Sequence, residues 1–363
     1  MAGQVNRVAV DTEGGRYDVV VGPLAPGLDA LEALIDGRGG RIPLVSDELV
    51  LGLHGGAIRD RFDVEPLVVP RGEDGKTFAV LEDLLYRIAA IDPDRSTPIV
   101  ALGGGAVGDL SGLAAALFKR GCPIVHVPTT LLAQSDSAVG GKTAIDFAGQ
   151  KNLVGTFHQP SLVIADPSLL ATLDQRQFRS GLAEVIKYGA IDDAAFFAWC
   201  ESSIDALVAG HVDRLTDAIV HCVTAKARTV AGDVTDRSGQ RALLNFGHSF
   251  AHAIEAECGL GEVLHGEAVA VGMVLALRFS ARAGQADASD AERMVSLLGR
   301  AGLPTSLAAV GLGGRGDRLL KHMVRDKKNE RGAVTLVLSH GIGRAFLKHG
   351  ITSDQLGPFL EAA

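Results

Sequence analysis

The chain has 363 residues, with 35 Lys and Arg against 43 Asp and Glu, a formal charge of −8. Hydrophobic residues make up 47% and charged residues 21%, which excludes a disordered chain and leaves apolar material for about two packed domains. A pI near 5.8 argues against a sequence-independent grip on nucleic acid and leaves room only for a local basic site.

Glycine is in excess, at 45 residues, roughly one in eight against a usual ~7%. That excess suits a fold with many close backbone approaches. The four cysteines (Cys122, Cys200, Cys222, Cys258) form no CxxC pair, so neither a disulfide framework nor a thiolate zinc site is expected. The first residues, MAGQVNRVAV, carry no secretory pattern, and no apolar run reaches 18 residues. The expectation is a cytoplasmic protein without membrane or nucleic-acid partners.

In chain order, Val8–Asp11 and Tyr17–Val21 predict a hairpin around Glu13-Gly14-Gly15. A strand follows at Arg41–Ser46, a helix at Glu48–Phe62, a strand at Pro66–Val69 and an amphipathic helix at Thr77–Ile91. Pro98–Leu102 and Pro123–Val127 are short, nearly all-apolar strands. This rhythm predicts an α/β N-terminal domain with a mainly parallel nucleotide-binding sheet covered on both faces.

After Asp174 the pattern turns helical: Phe178–Val208, His211–Ala231, Leu243–Glu257, Gly266–Ala283 and Ser289–Ala301. A strand pair returns at Val334–Leu338 and Arg344–Leu347. The division is therefore 1–175, an α/β domain, and 176–363, a mostly α-helical metal-binding domain, with Asp166–Gln177 as the connection.

Gly103-Gly104-Gly105-Ala106-Val107-Gly108-Asp109 fits GxGxxG between a strand and a helix. Such a loop brings backbone amides to a pyrophosphate; it also serves as a tight helix–sheet turn. It follows a later strand than the usual fingerprint does, and Asp47, after an earlier strand, is the candidate ribose partner. Downstream lie Thr129, Thr130, Asp136, Gly140-Gly141-Lys142-Thr143 and Lys151-Asn152. Asp136 stands where a P-loop needs glycine, so a P-loop NTPase is disfavoured. Lys142, Lys151 and Asn152 suit a phosphate grip; as isolated residues they also read as surface lysines.

His248 and His252 are four apart on one helical face, His265 opens the next helix, and Glu184 lies on an earlier one. Two histidines and a carboxylate make a common catalytic metal set, and spacing alone pairs His248 with His252. Capping or core-polar histidines are the competing reading.

The segments GGGAVGDLSG, VPTTLLAQSDSAVGGKTAID, KNLVGTFHQP, GLAEVIKYG, RALLNFGHSFAHAIE, VLHGEAVAVGM and DKK occur in this order. Together they resemble the 3-dehydroquinate synthases, within the sugar phosphate cyclases, from about Asp47 to about Leu347. The stretch between Lys226 and Arg241 is slightly longer than in that pattern.

The resemblance implies an NAD-binding domain, a helical domain and an active site between them. It implies zinc, with cobalt as the alternative ion, on Glu184, His248 and His265, which moves His252 to the substrate phosphate. NAD contacts fall on Asp47, Glu73, Lys76, Gly105, Ala106, Val107, Gly108 and Asp109. They continue at Thr129, Thr130, Lys142, Lys151 and Thr172. Substrate contacts fall on Asp136, Lys142, Asn152, Lys187, Lys226, Arg241, Asn245, His252 and Lys327 or Lys328. Arg120 resembles an arginine that reaches the neighbouring subunit's phosphate site, implying a homodimer.

The implied reaction is conversion of 3-deoxy-arabino-heptulosonate 7-phosphate to 3-dehydroquinate. It proceeds by transient oxidation, phosphate elimination, reduction and aldol closure. Other cyclases, of the aminodehydroquinate or valiolone type, and metal-dependent NAD polyol dehydrogenases are the alternatives.

Overall fold

The computed structural model describes residues 4–12, 14–35, 40–233, 241–259, 261–325 and 334–363. They form two compact units, one of residues 1–174 and 215–235, the other of 175–214 and 236–363. The stretch 215–235 belongs to the first unit, whereas a single cut at 175 puts it in the second.

The first unit opens with β1 (Asn6–Thr12) and β2 (Gly15–Val21), an antiparallel pair. Next come α1 (Leu24–Ile35), β3 (Ile42–Ser46), α2 (Glu48–His54), α3 (Gly56–Arg59), β4 (Val64–Val68) and α4 (Phe78–Ile91). They are followed by β5 (Ile99–Gly103), α5 (Gly105–Leu117), β6 (Ile124–Pro128), β7 (Lys142–Phe147), β8 (Gln150–Phe157) and β9 (Leu162–Ala165).

Seven strands form one sheet in the order β1-β2-β9-β6-β5-β3-β4, parallel except for β1 against β2. Strands β3, β5, β6 and β9 are buried throughout, because helices cover both faces. The alternation of side chains sets the two cores. Ile99 and Ala101 of β5 pack with Leu84 and Ile88 of α4 and Leu110 and Leu113 of α5. Val100 and Leu102 pack on the other face with Leu28 and Leu31 of α1 and Ile58 of α3.

Two predicted helices are each divided. Glu48–Phe62 breaks at Gly55. Phe178–Val208 breaks at Asp193, whose carboxylate accepts the Phe196 N–H at 2.9 Å and starts a new helix.

The second unit holds α6 (Gln175–Asp192) and α7 (Ala194–Val208); α8 (Val212–Ala231) then runs almost wholly in the first unit. The second unit continues with α9 (His248–Cys258), α10 (His265–Arg282), α11 (Ala288–Arg300) and α12 (Gly316–Arg325). The hairpin β10 (Val334–Ser339) with β11 (Ala345–Ile351) and α13 (Ser353–Glu361) complete it.

Helix α10 packs against α6, α9 and α11. It is apolar almost all round and almost wholly buried, as a central helix must be. Helix α9 starts at His248 rather than at the predicted Leu243. Gly247 takes φ +80°, and a Cβ there would sit 2.7 Å from the Met273 nitrogen, so the turn has to be glycine. No described helix is long and apolar enough to cross a membrane.

Candidate functional site

In the first unit the chain runs from β3 outward to β4, then returns to place β5 on the other side of β3. The carboxyl ends of β3 and β5 are thus a topological switch point, where α/β sheets open a ligand crevice. Asp47 follows β3, Gly103 ends β5 with Gly104 and Gly105 after it, and Thr129-Thr130 follows β6. The late position of the glycine loop is explained: β5 is the fifth strand in sequence yet adjoins β3 in the sheet.

The amides of Gly105, Ala106 and Val107 open α5, and Gly108 N–H makes an early helical bond, to Gly104 O at 3.1 Å. The unpaired first-turn amides and the positive end of the helix suit an anion. Gly103, Gly104, Gly105, Gly108, Asp109, Ser137 and Lys142 line one crevice. Beneath it, burial drives the His126 imidazole down to about 4, so it is neutral.

Asp47 caps α2, accepting the Val50 N–H at 3.0 Å. Thr129 N–H donates to Gly103 O at 2.9 Å, and Thr130 Oγ1 accepts from Ala133 N at 3.2 Å. Thr172 Oγ1 lies 2.8 Å from His54 Nε2, a residue the sequence did not single out.

The hairpin β7–β8, also not foreseen, carries the phosphate-grip candidates. Lys142 opens β7 and is exposed. Asn152 sits at φ +53°, its amide donating to Asp146 Oδ1 at 2.8 Å and its side-chain oxygen accepting from Lys76. Lys76 is buried and pairs with Asp109 at 2.8 Å; against the lowering effect of burial, Asp109 and Glu73 raise its ammonium. Lys151 meets Glu73 at 3.6 Å.

Asp136 lies on a π-helical turn, Ala133–Ser137. The buried Lys226 of α8 bonds its backbone oxygen at 2.8 Å and its carboxylate, which ties 215–235 to this unit. Arg120 is not in this crevice; it lines a separate one with Arg95 and His158.

In the second unit, Glu184, His248 and His265 bring one ligand atom each within 4.8 Å of one another. Glu184 is buried on α6, a helix otherwise apolar around it, with Lys187 one turn on against Oε2. Its Oε1 lies 3.6 Å from His248 Nε2 and 3.4 Å from His265 Nε2, and neither oxygen has a hydrogen bond of good geometry.

His248 Nδ1 lies 3.2 Å from Phe246 O, which can only accept, so Nε2 is left as the ligand atom. His265 is held by its own helix start. Glu267 accepts the Leu264 N–H at 2.9 Å and is gripped by both arms of Arg176, at 2.7 and 2.8 Å. Its Nδ1 faces Glu255 Oε2 at 3.5 Å. Glu255 is seven residues after His248, two turns along the same face, and that spacing was a readable signal.

Two imidazoles and a carboxylate are a donor set that suits zinc or cobalt. His252 is outside this set, its ring centroid 5.7 Å from that of His248. Arg241 is buried at the start of a short turn ending at Asn245. Lys327 and Lys328 lie outside the described residues.

Burial, reinforced by Lys187, His265 and His252, holds His248 well below its usual value, so it is neutral and ready to ligate. At His265 burial acts downward, but Glu184 and Glu255 outweigh it and raise the imidazole to about 9. A metal ion must displace that proton. The affinity of an ion held on this set is therefore expected to rise about tenfold per pH unit between pH 7 and 8 and to flatten above about 9. Zinc titrations across pH, with proton release followed in weak buffer, measure it; a flat affinity contradicts it.

The family models and the curated relatives agree on one family. The family model for the 3-dehydroquinate synthase N-terminal domain matches residues 66–180, and the C-terminal one matches 181–329. The 3-dehydroquinate synthase of Caulobacter vibrioides (strain NA1000 / CB15N) is 47% identical over 352 residues, covering 95% of each chain. The chain belongs to the 3-dehydroquinate synthase family.

Membership makes it a carbocycle-forming, phosphate-eliminating lyase of the shikimate pathway. The valiolone synthase ValA of Streptomyces hygroscopicus subsp. jinggangensis 5008, solved with NAD+ and Zn2+, superposes with a TM-score of 0.86 at 29% identity, covering 98% of this chain and 99% of that one. A 2-deoxy-scyllo-inosose synthase solved with carbaglucose-6-phosphate, NAD+ and Co2+ gives 0.85 at 25%, covering 99% and 100%.

Proposed function

We propose that this 3-dehydroquinate synthase acts on 3-deoxy-arabino-heptulosonate 7-phosphate, with NAD at the β3–β5 switch point and a divalent ion on Glu184, His248 and His265. The single observation that carries the metal reading is the buried Glu184 carboxylate oxygen facing two imidazole nitrogens at 3.4 and 3.6 Å. When bound, the nicotinamide supplies reversible oxidation at C5 and the ion supplies Lewis-acid polarisation of substrate hydroxyls.

The residues of this chain bind and orient. The α5 amides and Thr129-Thr130 take the dinucleotide phosphates, and Asp47 takes a ribose hydroxyl. Lys76 and Asp109 hold each other and fix Asn152. In the first unit Lys142 and Asn152 grip the substrate phosphate. In the second, Asn245 and His252 hydrogen-bond phosphate, and Arg241 suits a bidentate hold on the carboxylate. Asp136 with Lys226, and Lys187 with Glu184, place charges that orient the sugar hydroxyls. Arg120 reaches the phosphate site of a second copy in a homodimer, and the enzyme works in the cytoplasm.

Stripped of metal and nucleotide, the protein is expected to be inactive. Zinc and NAD+ together, not either alone, restore phosphate release. Full activity with one of them missing rules out the corresponding cofactor.

A further inference from the structure

We propose that Arg95 is a positioning residue for Arg120, clamping a left-handed turn so that the Arg120 guanidinium is presented in one fixed direction to the substrate phosphate. Lys119 takes φ +47° and Arg120 φ +63°, and Gly121 follows at +106°. Two successive non-glycine residues in that region are strained, and such strain persists only where the surroundings over-determine it.

Three groups do so here, through five hydrogen bonds. Gly121 N–H donates to Phe118 O at 2.9 Å and closes the turn. The Lys119 ammonium donates to Asp92 Oδ1 at 2.9 Å and Pro93 O at 2.7 Å. Arg95 donates from Nε to Gly121 O at 3.2 Å and from Nη2 to Arg120 O at 3.3 Å.

Arg95 is exposed, as is Arg120. A guanidinium that bonds two carbonyls at the surface adds little stability over bonding water. What it does fix is the two peptides that follow Arg120, on either side of Gly121, and with them the left-handed turn on which the Arg120 side chain stands. Among the described residues that side chain makes no hydrogen bond or ion pair. It lines an open crevice with Arg95, His158 and Gln159. An exposed cation left unpaired on a clamped, strained turn is arranged for an anion supplied from outside this chain's own contacts.

The inference rests on the reading that Arg120 meets the substrate phosphate, and the test separates the two. Steady-state kinetics compare the full chain with Arg120→Ala, Arg95→Ala, Arg95→Lys and the double alanine variant. Arg120→Ala raises KM for the sugar phosphate ~10–100-fold, the loss of a charge-assisted contact. Arg95→Ala raises it ~3–10-fold with kcat little changed, and adds nothing in the Arg120→Ala background. The inhibition constant of inorganic phosphate moves in parallel, and Arg95→Lys recovers part of the loss through one carbonyl.

If Arg120→Ala leaves KM unaltered, the phosphate reading falls and the clamp with it. If Arg120→Ala raises KM while Arg95→Ala does not, or if the two effects add, the clamp alone is overturned. Should Arg95→Ala unfold, Lys119→Ala tests the same turn and is expected to raise KM in the same direction; an unchanged KM contradicts the proposal.

Discussion

Glu184→Ala is expected to abolish metal binding and turnover together, and His265→Ala to do the same. Each removes one of the three candidate ligand atoms that lie within 4.8 Å of one another. The Glu184 change also removes the carboxylate that meets the buried Lys187 ammonium, so the variant is expected to lose stability as well. Glu184→Gln keeps the shape and isolates the charge. Metal content by elemental analysis and phosphate release, measured on the same sample, decide the matter. A variant that keeps zinc stoichiometrically, or that turns over at the original rate, removes Glu184 from the metal site.

Gly266→Ala is the second large effect, and it comes from packing rather than from a ligand. Gly266 follows His265 directly and packs its backbone against α6. A Cβ there would lie 1.9 Å from Ser180 O, and the Gly266 N–H donates to Ser180 Oγ at 3.0 Å. The clash is with backbone and cannot be relieved by a rotamer change. The start of α10 has to move away from α6, and His265 moves away from Glu184 with it. A displacement of about 1 Å at a catalytic constellation costs on the order of 100-fold in rate, so a loss of at least that size is expected, with weaker zinc binding. Wild-type activity and zinc affinity in a folded Gly266→Ala protein contradict this.

The parts of this fold that the sequence revealed are those set by local pattern. The all-apolar runs at β5 and β6 mark strands covered on both sides, and Thr77 caps α4 where the helical spacing begins. The hairpin β7–β8 escaped because its turn passes through Ala148 at φ +52° and Gly149 at +72°, without the Asn-Gly or Asp-Gly signal. Helix α1 was hidden by Pro26 and Gly27; the glycine is there because Ile164 Cγ2 would lie 2.1 Å from a Cβ. The helices α12 and α13 were not read either.

The candidate site divides along the same line. The glycine loop and the three residues around Lys142 are contiguous motifs and can be read directly. The ligand set is tertiary: Glu184, His248 and His265 stand on three helices, and the helical period alone pairs His248 with His252. Only the resemblance to the family chose His265 over His252 in advance. Lys226 was assigned to the helical half by its place in the chain. Its bonds to Asp136 put it with the α/β unit, a contact over ninety residues that no local signal encodes.

The most direct test of the account follows three quantities in one turnover experiment on the metal-loaded protein with 3-deoxy-arabino-heptulosonate 7-phosphate and catalytic NAD+. Phosphate and 3-dehydroquinate are expected in equal amounts, many times the NAD+ present, with no net rise in absorbance from NADH. NADH accumulating in step with substrate consumed, or phosphate released without the carbocycle, would contradict it.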